Sequence, residues 1–339
     1  MEKIQNPKIS VIMATHNTPK LWLHEAISSI LKQSYKDFEF IIIDDASTEN
    51  QREIILEYKD PRIIFIRNNV NLGLTKSLNL GLKIAKGKYI ARMDSDDISQ
   101  IDRFEKQLNF MENNTQYAVV GSYRRAFGVE NKLEKWNLPK TRDEQQVQLF
   151  FFNCGITHPT AFIRKSVLLD NQLTYNESYL KAQDYGLWVD ITKYGKMHMY
   201  PEVLLLYRKH ENQISRKGNQ SQREYAKTIK IDQLNKIGLD PSGFEIKLHF
   251  KFLNNEVIEP NQTYLWIEKL INANKKSNYF SHDVFCNELN YRWYKICSIK
   301  KTERKFQPYY KDSFTVRYFL KELKYYFNTF LMNVLKKIM

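Results

Sequence analysis

Apolar positions in the first third of the chain follow two alternating rhythms. Short runs that are apolar almost throughout, at 9–13, 38–43, 63–66 and 89–93, predict strands buried on both faces. Between them, 21–33 carries Leu23, Ala26, Ile27, Ile30 and Leu31 at helical spacing. Thr48 is placed to cap a second helix, and 75–85 reads as a third that Gly87 closes as a left-handed cap. A further helix at about 101–111 leads into Ala118, Val119 and Val120. Alternation of this kind predicts an α/β fold, a doubly wound and mostly parallel sheet.

After Gly121 the rhythm loosens. Polar loop material fills 128–142, the aromatic patch Phe150, Phe151 and Phe152 follows, 180–194 reads as helix, and 203–207 reads as a strand returning to the sheet. Beyond about residue 215 the pattern is helical, rich in Lys, Tyr and Phe, and free of Gly after Gly243. The expected organisation is a domain over 1–215, with a sheet-forming half at 1–121 and a less regular half at 122–215. A basic, aromatic-rich helical extension occupies 216–339.

Composition adds a partner of opposite charge. The 339 residues are 42% hydrophobic and 27% charged, the balance of a soluble globular protein, and the formal net charge is +14. From Arg292 onward there are 12 basic and three acidic residues, so this stretch alone carries +9. Such concentration argues against nucleic acid as the partner of a basic working face and points to a cationic tail. Cys154, Cys286 and Cys297 are scattered without metal-ligand spacing, which disfavours zinc and a disulfide framework and fits a reducing cytoplasm. The start, MEKIQNPKIS, lacks the apolar core of a signal peptide, and no run approaches the ~18 apolar residues of a spanning helix, so the expectation is a protein neither exported nor transmembrane.

Ligands of an open parallel sheet bind outside the carboxyl ends of its strands, and two strands here end in acid. The second runs into Asp44-Asp45-Ala46-Ser47-Thr48 and the fourth into Asp94-Ser95-Asp96-Asp97. Either cluster alone is accounted for by helix capping. Five carboxylates on one rim without compensating bases would repel one another, which calls for a divalent cation or sugar hydroxyls among them. Where a dehydrogenase needs Gly-x-Gly-x-x-Gly the chain has Ala14-Thr15-His16-Asn17-Thr18-Pro19, and it has no P-loop and no Gly-x-Ser-x-Gly elbow.

Ser10-Val-Ile-Met-Ala-Thr-His-Asn17, Asp44 to Thr48, Asn71-Leu72-Gly73-Leu74 and Met93-Asp94-Ser95-Asp96-Asp97 resemble, in order and spacing, the successive motifs of family 2 inverting glycosyltransferases of the bacterial cell-surface polysaccharide type. The resemblance covers roughly 8–215 and implies the Rossmann-like glycosyltransferase A fold, with 1–121 as the nucleotide-binding half and 122–215 as the acceptor side. It implies that Asp45 contacts the base of a nucleoside-diphosphate sugar, UDP-linked by expectation, with Thr15, Asn17, Asn71, Gly73 and Lys76 beside the nucleoside. Asp94 takes the ribose or sugar side, and Asp96 coordinates a divalent metal, Mn2+ or Mg2+, that offsets charge on the leaving diphosphate. Asp97 either supports that site or caps a helix beginning near Ser99.

Inverting transfer also needs a general base. Ala182-Gln183-Asp184-Tyr185 resembles the family's acidic pair, with Gln183 where Glu is common, and makes Asp184 that base. By the same resemblance His158, in His158-Pro-Thr-Ala-Phe162, faces the sugar or the diphosphate, a buried structural histidine being the other reading. The segment 207–215 brings His210 to the metal and Arg208 to phosphate. Trp188 is read as core rather than as a platform for a sugar ring.

At 318–338, Phe319, Leu323, Phe327, Leu331, Leu335 and Ile338 recur at helical spacing among lysines. Such a helix either packs on the domain or docks on an anionic inner membrane leaflet, bringing the protein to a lipid-linked acceptor. The implied activity is metal-dependent hexosyl or N-acetylhexosaminyl transfer from a nucleotide-sugar donor to a saccharide acceptor, free or lipid-linked, by a cytoplasmic protein peripheral to the membrane. Two rivals share the fold. A sugar nucleotidyltransferase needs a Gly-rich, Arg-containing loop that 14–19 does not supply, and a non-catalytic saccharide-binding scaffold is expected to have lost Asp96 or Asp184.

Overall fold

The computed structural model describes residues 6–300 apart from 49, 153–154, 212–218, 255 and 257–258. The predicted amphipathic helix at 318–338 and Cys154 lie outside the described residues. The chain divides into two compact units, 1–230 and 231–339.

In the first unit the predicted strands form β1 (Ile9–Thr15), β2 (Phe38–Asp44), β3 (Ile63–Arg67) and β4 (Tyr89–Asp94). They lie parallel in the order β3-β2-β1-β4, and the sheet continues through β8 (Phe162–Arg164), β6 (Tyr117–Gly128), β9 (Lys196–Lys209) and β5 (Ile98–Ser99). β7 (Lys132–Glu134) pairs with β6. All seven residues of β1 and of β2 are buried. Successive side chains of a strand point to opposite faces, so Ile12, Ala14, Ile41 and Ile43 join one apolar cluster while Val11, Met13, Phe40 and Ile42 join another. Two clusters on one sheet are what a doubly wound fold requires.

The helices α1 (Lys20–Leu31), α2 (Gln51–Leu56), α3 (Leu74–Ile84) and α4 (Arg103–Asn113) cover these faces. α5 (Arg142–Phe151) ends in the aromatic patch, α6 is Lys165–Asp170, and α7 (Gln183–Ile191) is a shorter form of the predicted 180–194 helix. A helix at Asn219–Lys236 leads to the second unit, whose helices Gly243–Leu253, Pro260–Ser277 and His282–Lys300 bury Leu248, Phe252, Trp266, Leu270, Phe285 and Leu289. None of the described helices is long and apolar enough to cross a membrane.

Four local expectations are corrected. Gly87 does not cap α3 with a left-handed residue, since its φ is not positive; a Cβ there would lie 2.5 Å from the Ser10 backbone nitrogen, so close passage of β1 is what demands glycine. Thr48 does not cap α2, which starts after Asn50; its N–H and hydroxyl both donate to Asn17 Oδ1. Residues 128–142 are not all loop, because β6 runs on to Gly128 and turns back as β7. Asp97 caps no helix: β5 follows it, and α4 begins only at Arg103.

Candidate active site

Parallel register delivers the acidic strand ends to one rim. Thr15 pairs with Asp44 across β1 and β2, and Ala14 with Asp94 across β1 and β4. A cleft of about 760 Å³ opens there, lined among others by Thr15, Asn17, Asp45, Asn71, Gly73, Asp94, Asp96, His158, Asp184 and His210. Ten of the predicted site residues thus share one cavity, whereas Lys76 and Arg208 are not part of its lining.

At the end formed by β1, β2 and β3, Asp45 is a buried organiser. Its carboxylate accepts from Asn68 Nδ2 at 2.7 Å, Leu72 N at 2.8 Å and Gly73 N at 2.8 Å, which folds the loop from β3 back over β2. The turn into α3 needs Gly73 because its φ is +85°. Asn17 sits at φ +50° and accepts from Thr48 N at 2.8 Å, locking the loops after β1 and β2 together. His16 Nδ1 lies 2.9 Å from Asp45 O, and the Asn71 amide is 3.1 Å from His16 Nε2. The Thr15 hydroxyl donates to Gln51 Oε1 at 2.8 Å, and Lys76 is exposed on α3.

On the β4 side of the same rim, carboxylate oxygens of Asp94, Asp96 and Asp97 lie within 4.8 Å of one another. Asp96 Oδ2 is 2.9 Å from His210 Nε2, and the buried His210 Nδ1 and Asp97 Oδ2 have no partner among the described residues. Burial first, and the charge of Asp94 second, raise the Asp96 pKa; Asp97 is pushed well above the usual carboxylate range by burial and then by Asp96 and Asp94. Hard oxygen donors with one imidazole suit Mn2+ or Mg2+, so the residues fit a divalent cation.

The expectation of acids without compensating bases is corrected here. Arg92, 2% exposed, is ion-paired to Asp94. Arg103 is buried beneath it, donates to Arg92 O at 2.9 Å, and has its pKa lowered by burial to about 9, which leaves it a cation at neutral pH. Arg208 is the third. Its Nε donates to Asp96 O at 2.7 Å, its backbone N–H donates to Asp97 Oδ1 at 2.9 Å, and its guanidinium pairs with Glu25. Arg208 thereby clamps the acidic turn.

On the 122–215 side Asp184 stands in the first turn of α7, accepting from Tyr185 N at 2.9 Å. Burial raises its pKa, against the stabilising Tyr185 N–H. Gln183 lines the cleft beside it, and its buried Oε1 has no partner among the described residues. His158 Nε2 is 2.8 Å from the Tyr175 hydroxyl, and burial followed by the Arg92 charge holds its pKa well below the imidazole range, so it is neutral. Trp188 is core, 1% exposed, with its Nε1 donating to Ile156 O at 2.9 Å.

Sequence reasoning passed over Arg92, Trp22, Lys181 and Tyr207, all of which line the cleft. Arg92 had a signal, a lone cation inside the apolar strand Ile90-Ala91-Arg92-Met93, because a charge buried there must have a partner.

Residues 10–171 match the model of glycosyl transferase family 2. An uncharacterized glycosyltransferase of Haemophilus influenzae is 36% identical over 249 residues, 69% of this chain and 76% of that protein. The Escherichia coli UDP-Glc:alpha-D-GlcNAc-diphosphoundecaprenol beta-1,3-glucosyltransferase WfaP is 33% identical over 210 residues, 61% of this chain and 79% of its own. Among solved structures, S. aureus TarS 1-349 in complex with UDP-GlcNAc superposes with a TM-score of 0.57 at 18% identity, over 88% of this chain and 94% of TarS, a likeness of fold. With the motif order, the strand-end acids and relatives matched over three quarters of their length, the chain belongs to glycosyl transferase family 2 and is a glycosyltransferase of the A-type fold.

Proposed function

We propose that the chain transfers a hexosyl or N-acetylhexosaminyl group, with inversion, from a UDP-sugar to a hydroxyl of a lipid-linked saccharide in cell-surface polysaccharide synthesis. The observation that carries the reading is that one cleft is lined both by Asp94, Asp96 and His210 and by Asp184, whose pKa is raised. The donor and acceptor named for WfaP, UDP-Glc and a GlcNAc-diphosphoundecaprenol, support the chemical class, and a β product from an α-linked donor is inversion.

In this reading Asp184 takes the proton of the acceptor hydroxyl as its oxygen attacks the anomeric carbon. The bond from that carbon to the diphosphate breaks, and the nucleoside diphosphate leaves with the electron pair. Asp96 and His210, with Asp94 beside them, would hold a divalent metal, which would supply positive charge against the leaving diphosphate. Thr15, Asn17, Asp45, Asn71 and Gly73 hold the nucleoside, Asp94 orients the ribose or sugar, and neutral His158 faces the sugar without adding charge. Arg208 acts through Asp96 and Asp97, whose turn it fixes. Catalysis is assigned to 1–215, and 216–339 is an extension.

Purified protein incubated with a panel of nucleotide sugars, with and without manganese, tests this through release of nucleoside diphosphate. The expected result is slow hydrolysis of one UDP-sugar, lost without metal and in Asp96→Ala. Transfer to a synthetic GlcNAc-diphospho-lipid is expected to be lost in Asp184→Asn. No donor binding across the panel by calorimetry overturns the reading.

A further inference from the structure

The β6–β7 hairpin stands next to the metal end of the cleft. Phe127 and Trp22 flank the guanidinium of Arg208, their ring centroids 4.4 Å and 5.1 Å from its central carbon, and Arg208 in turn holds Asp96 and Asp97. Val129 N donates at 3.2 Å to the carbonyl of Lys209, the residue before His210. The turn of the hairpin begins at Val129, two residues beyond Phe127, and Leu21 directly precedes Trp22, so both elements meet the acidic turn through Arg208.

This surface is apolar where solvent reaches it. Val129 is 61% exposed, Leu133 42% and Leu21 66%. Scattered exposed aliphatics need no explanation, but Val129 and Leu133 share one short hairpin, and Leu21 adjoins the Trp22 that packs on the same arginine as Phe127. Their polar neighbours are mainly cations. Arg125, Lys132 and Lys135 are exposed on the hairpin, against one exposed acid, Glu130. The other acid, Glu134, is taken up by Arg124 and by Lys209 at 3.7 Å. Register places Arg125 directly opposite Leu133, so a cation and an exposed aliphatic share one face of the ribbon, while Lys132 stands opposite the buried Ala126 on the other.

Exposed aliphatics framed by unneutralised cations match the two layers of an anionic bilayer: side chains enter the acyl boundary while Lys and Arg remain among the headgroups. We propose that the β6–β7 hairpin, with Leu21, docks the mouth of the cleft on an anionic lipid surface. Charge complementarity favours a membrane over a second copy of this chain, whose own net charge is +14. The position favours it too, because a saccharide tethered to lipid stays within a short reach of the surface and must meet the cleft there. In that last respect the inference rests on the proposed acceptor class; docking itself is measured without turnover.

The experiment is co-sedimentation of the full-length protein with vesicles of phosphatidylglycerol and phosphatidylethanolamine, and with vesicles of phosphatidylcholine alone. Binding is expected to the anionic vesicles and to weaken as salt is raised. Val129→Ser with Leu133→Ser is expected to lower the partition coefficient roughly tenfold. Arg125→Gln with Lys132→Gln is expected to lower it roughly thirtyfold. Both pairs are to keep the melting temperature and slow donor hydrolysis of the parent. A third variant, Lys321→Gln, Lys324→Gln, Lys336→Gln and Lys337→Gln, separates the tail from the hairpin and is expected to leave a further drop on adding the hairpin changes. The proposal is overturned if the hairpin variants partition like the parent, if only the tail variant loses binding, or if the parent binds heparin but neither vesicle. Failure of donor hydrolysis in the parent would sink the transferase reading and leave the partition result standing.

Discussion

Arg208 Nε donates to the carbonyl of Asp96 at 2.7 Å across 112 residues of sequence, tying the end of β9 to the turn after β4. The same arginine's backbone N–H reaches Asp97, and Asp96 meets His210 two residues farther along. The two halves of the candidate cation site therefore come from segments more than a hundred residues apart and are aligned by one guanidinium.

Arg208→Lys is expected to raise the metal concentration needed for half-maximal donor hydrolysis about tenfold while lowering kcat at saturating metal much less. An ammonium cannot hold both Asp96 O and Glu25 in the fixed fork of a guanidinium. A manganese titration of hydrolysis checks it. An unchanged metal requirement with a lowered melting temperature would mean that Arg208 serves the fold alone.

Asp184→Asn separates activity from stability. Its folded-state pKa is raised by burial, so the carboxylate is ionised at a cost that the unfolded chain does not bear. The native state is thus favoured below the unfolded value of about 3.9 and loses that advantage as pH rises through the raised value. The asparagine variant should melt higher than the parent at neutral pH and level with it near pH ~3, where both side chains are neutral. Transfer should fall about a hundredfold or more, and the acid limb of the parent's kcat/KM profile should lie above the usual carboxylate range. Matched melting curves at the two pH values, with rates, decide it.

How much of this was legible follows from the physics of each element. β1, β2 and β4 bury both faces and announce themselves as apolar runs, so the acids at their ends could be placed on a rim before any coordinates. β6 and β9 could not be read at their true lengths. Their middle and carboxyl ends carry Arg124, Arg125, Arg208 and Lys209, whose charges are balanced or exposed only through tertiary pairing, and the sequence there resembles loop. The compensating cations were hidden for the same reason. Arg92, Arg103 and Arg208 come from a strand, a helix and a second strand more than a hundred residues away, so nothing local announces that they meet around Asp94 and Asp97.

Two glycines separate strain from collision. Gly73→Ala adds a Cβ to open space, with nothing within 4 Å, but forces φ +85° on an alanine, which costs about 1 kcal/mol and loosens the Asp45-bonded loop. Gly87→Ala has no such strain and instead drives a methyl to 2.5 Å from the β1 backbone, which has no flexible atom to give way, at a cost of about 3 kcal/mol. Urea denaturation should rank Gly87→Ala well below Gly73→Ala, while only Gly73→Ala should raise the KM for donor. A reversed ranking would mean that β1 yields more readily than the loop.

His158 gives the opposite pH sign from Asp184. Burial and the nearby Arg92 depress its folded pKa, so the native state holds it neutral while the unfolded chain binds a proton below about pH 6.5. Its contribution is present above that value and is lost as pH falls toward the depressed folded pKa, at about 1.4 kcal/mol per unit once the unfolded imidazole is mostly protonated. His158→Gln, which cannot titrate, should flatten the dependence of unfolding free energy on pH between about 6.5 and 5 relative to the parent. Tyr175→Phe should leave the slope in place and cost about 1 to 2 kcal/mol at every pH, since it removes the hydroxyl 2.8 Å from Nε2 without removing the imidazole. Parallel pH profiles of parent and His158→Gln would show that the unfolded state's proton uptake lies on other groups. A flattened profile with transfer retained would assign His158 to the neutrality of the cleft floor rather than to proton transfer.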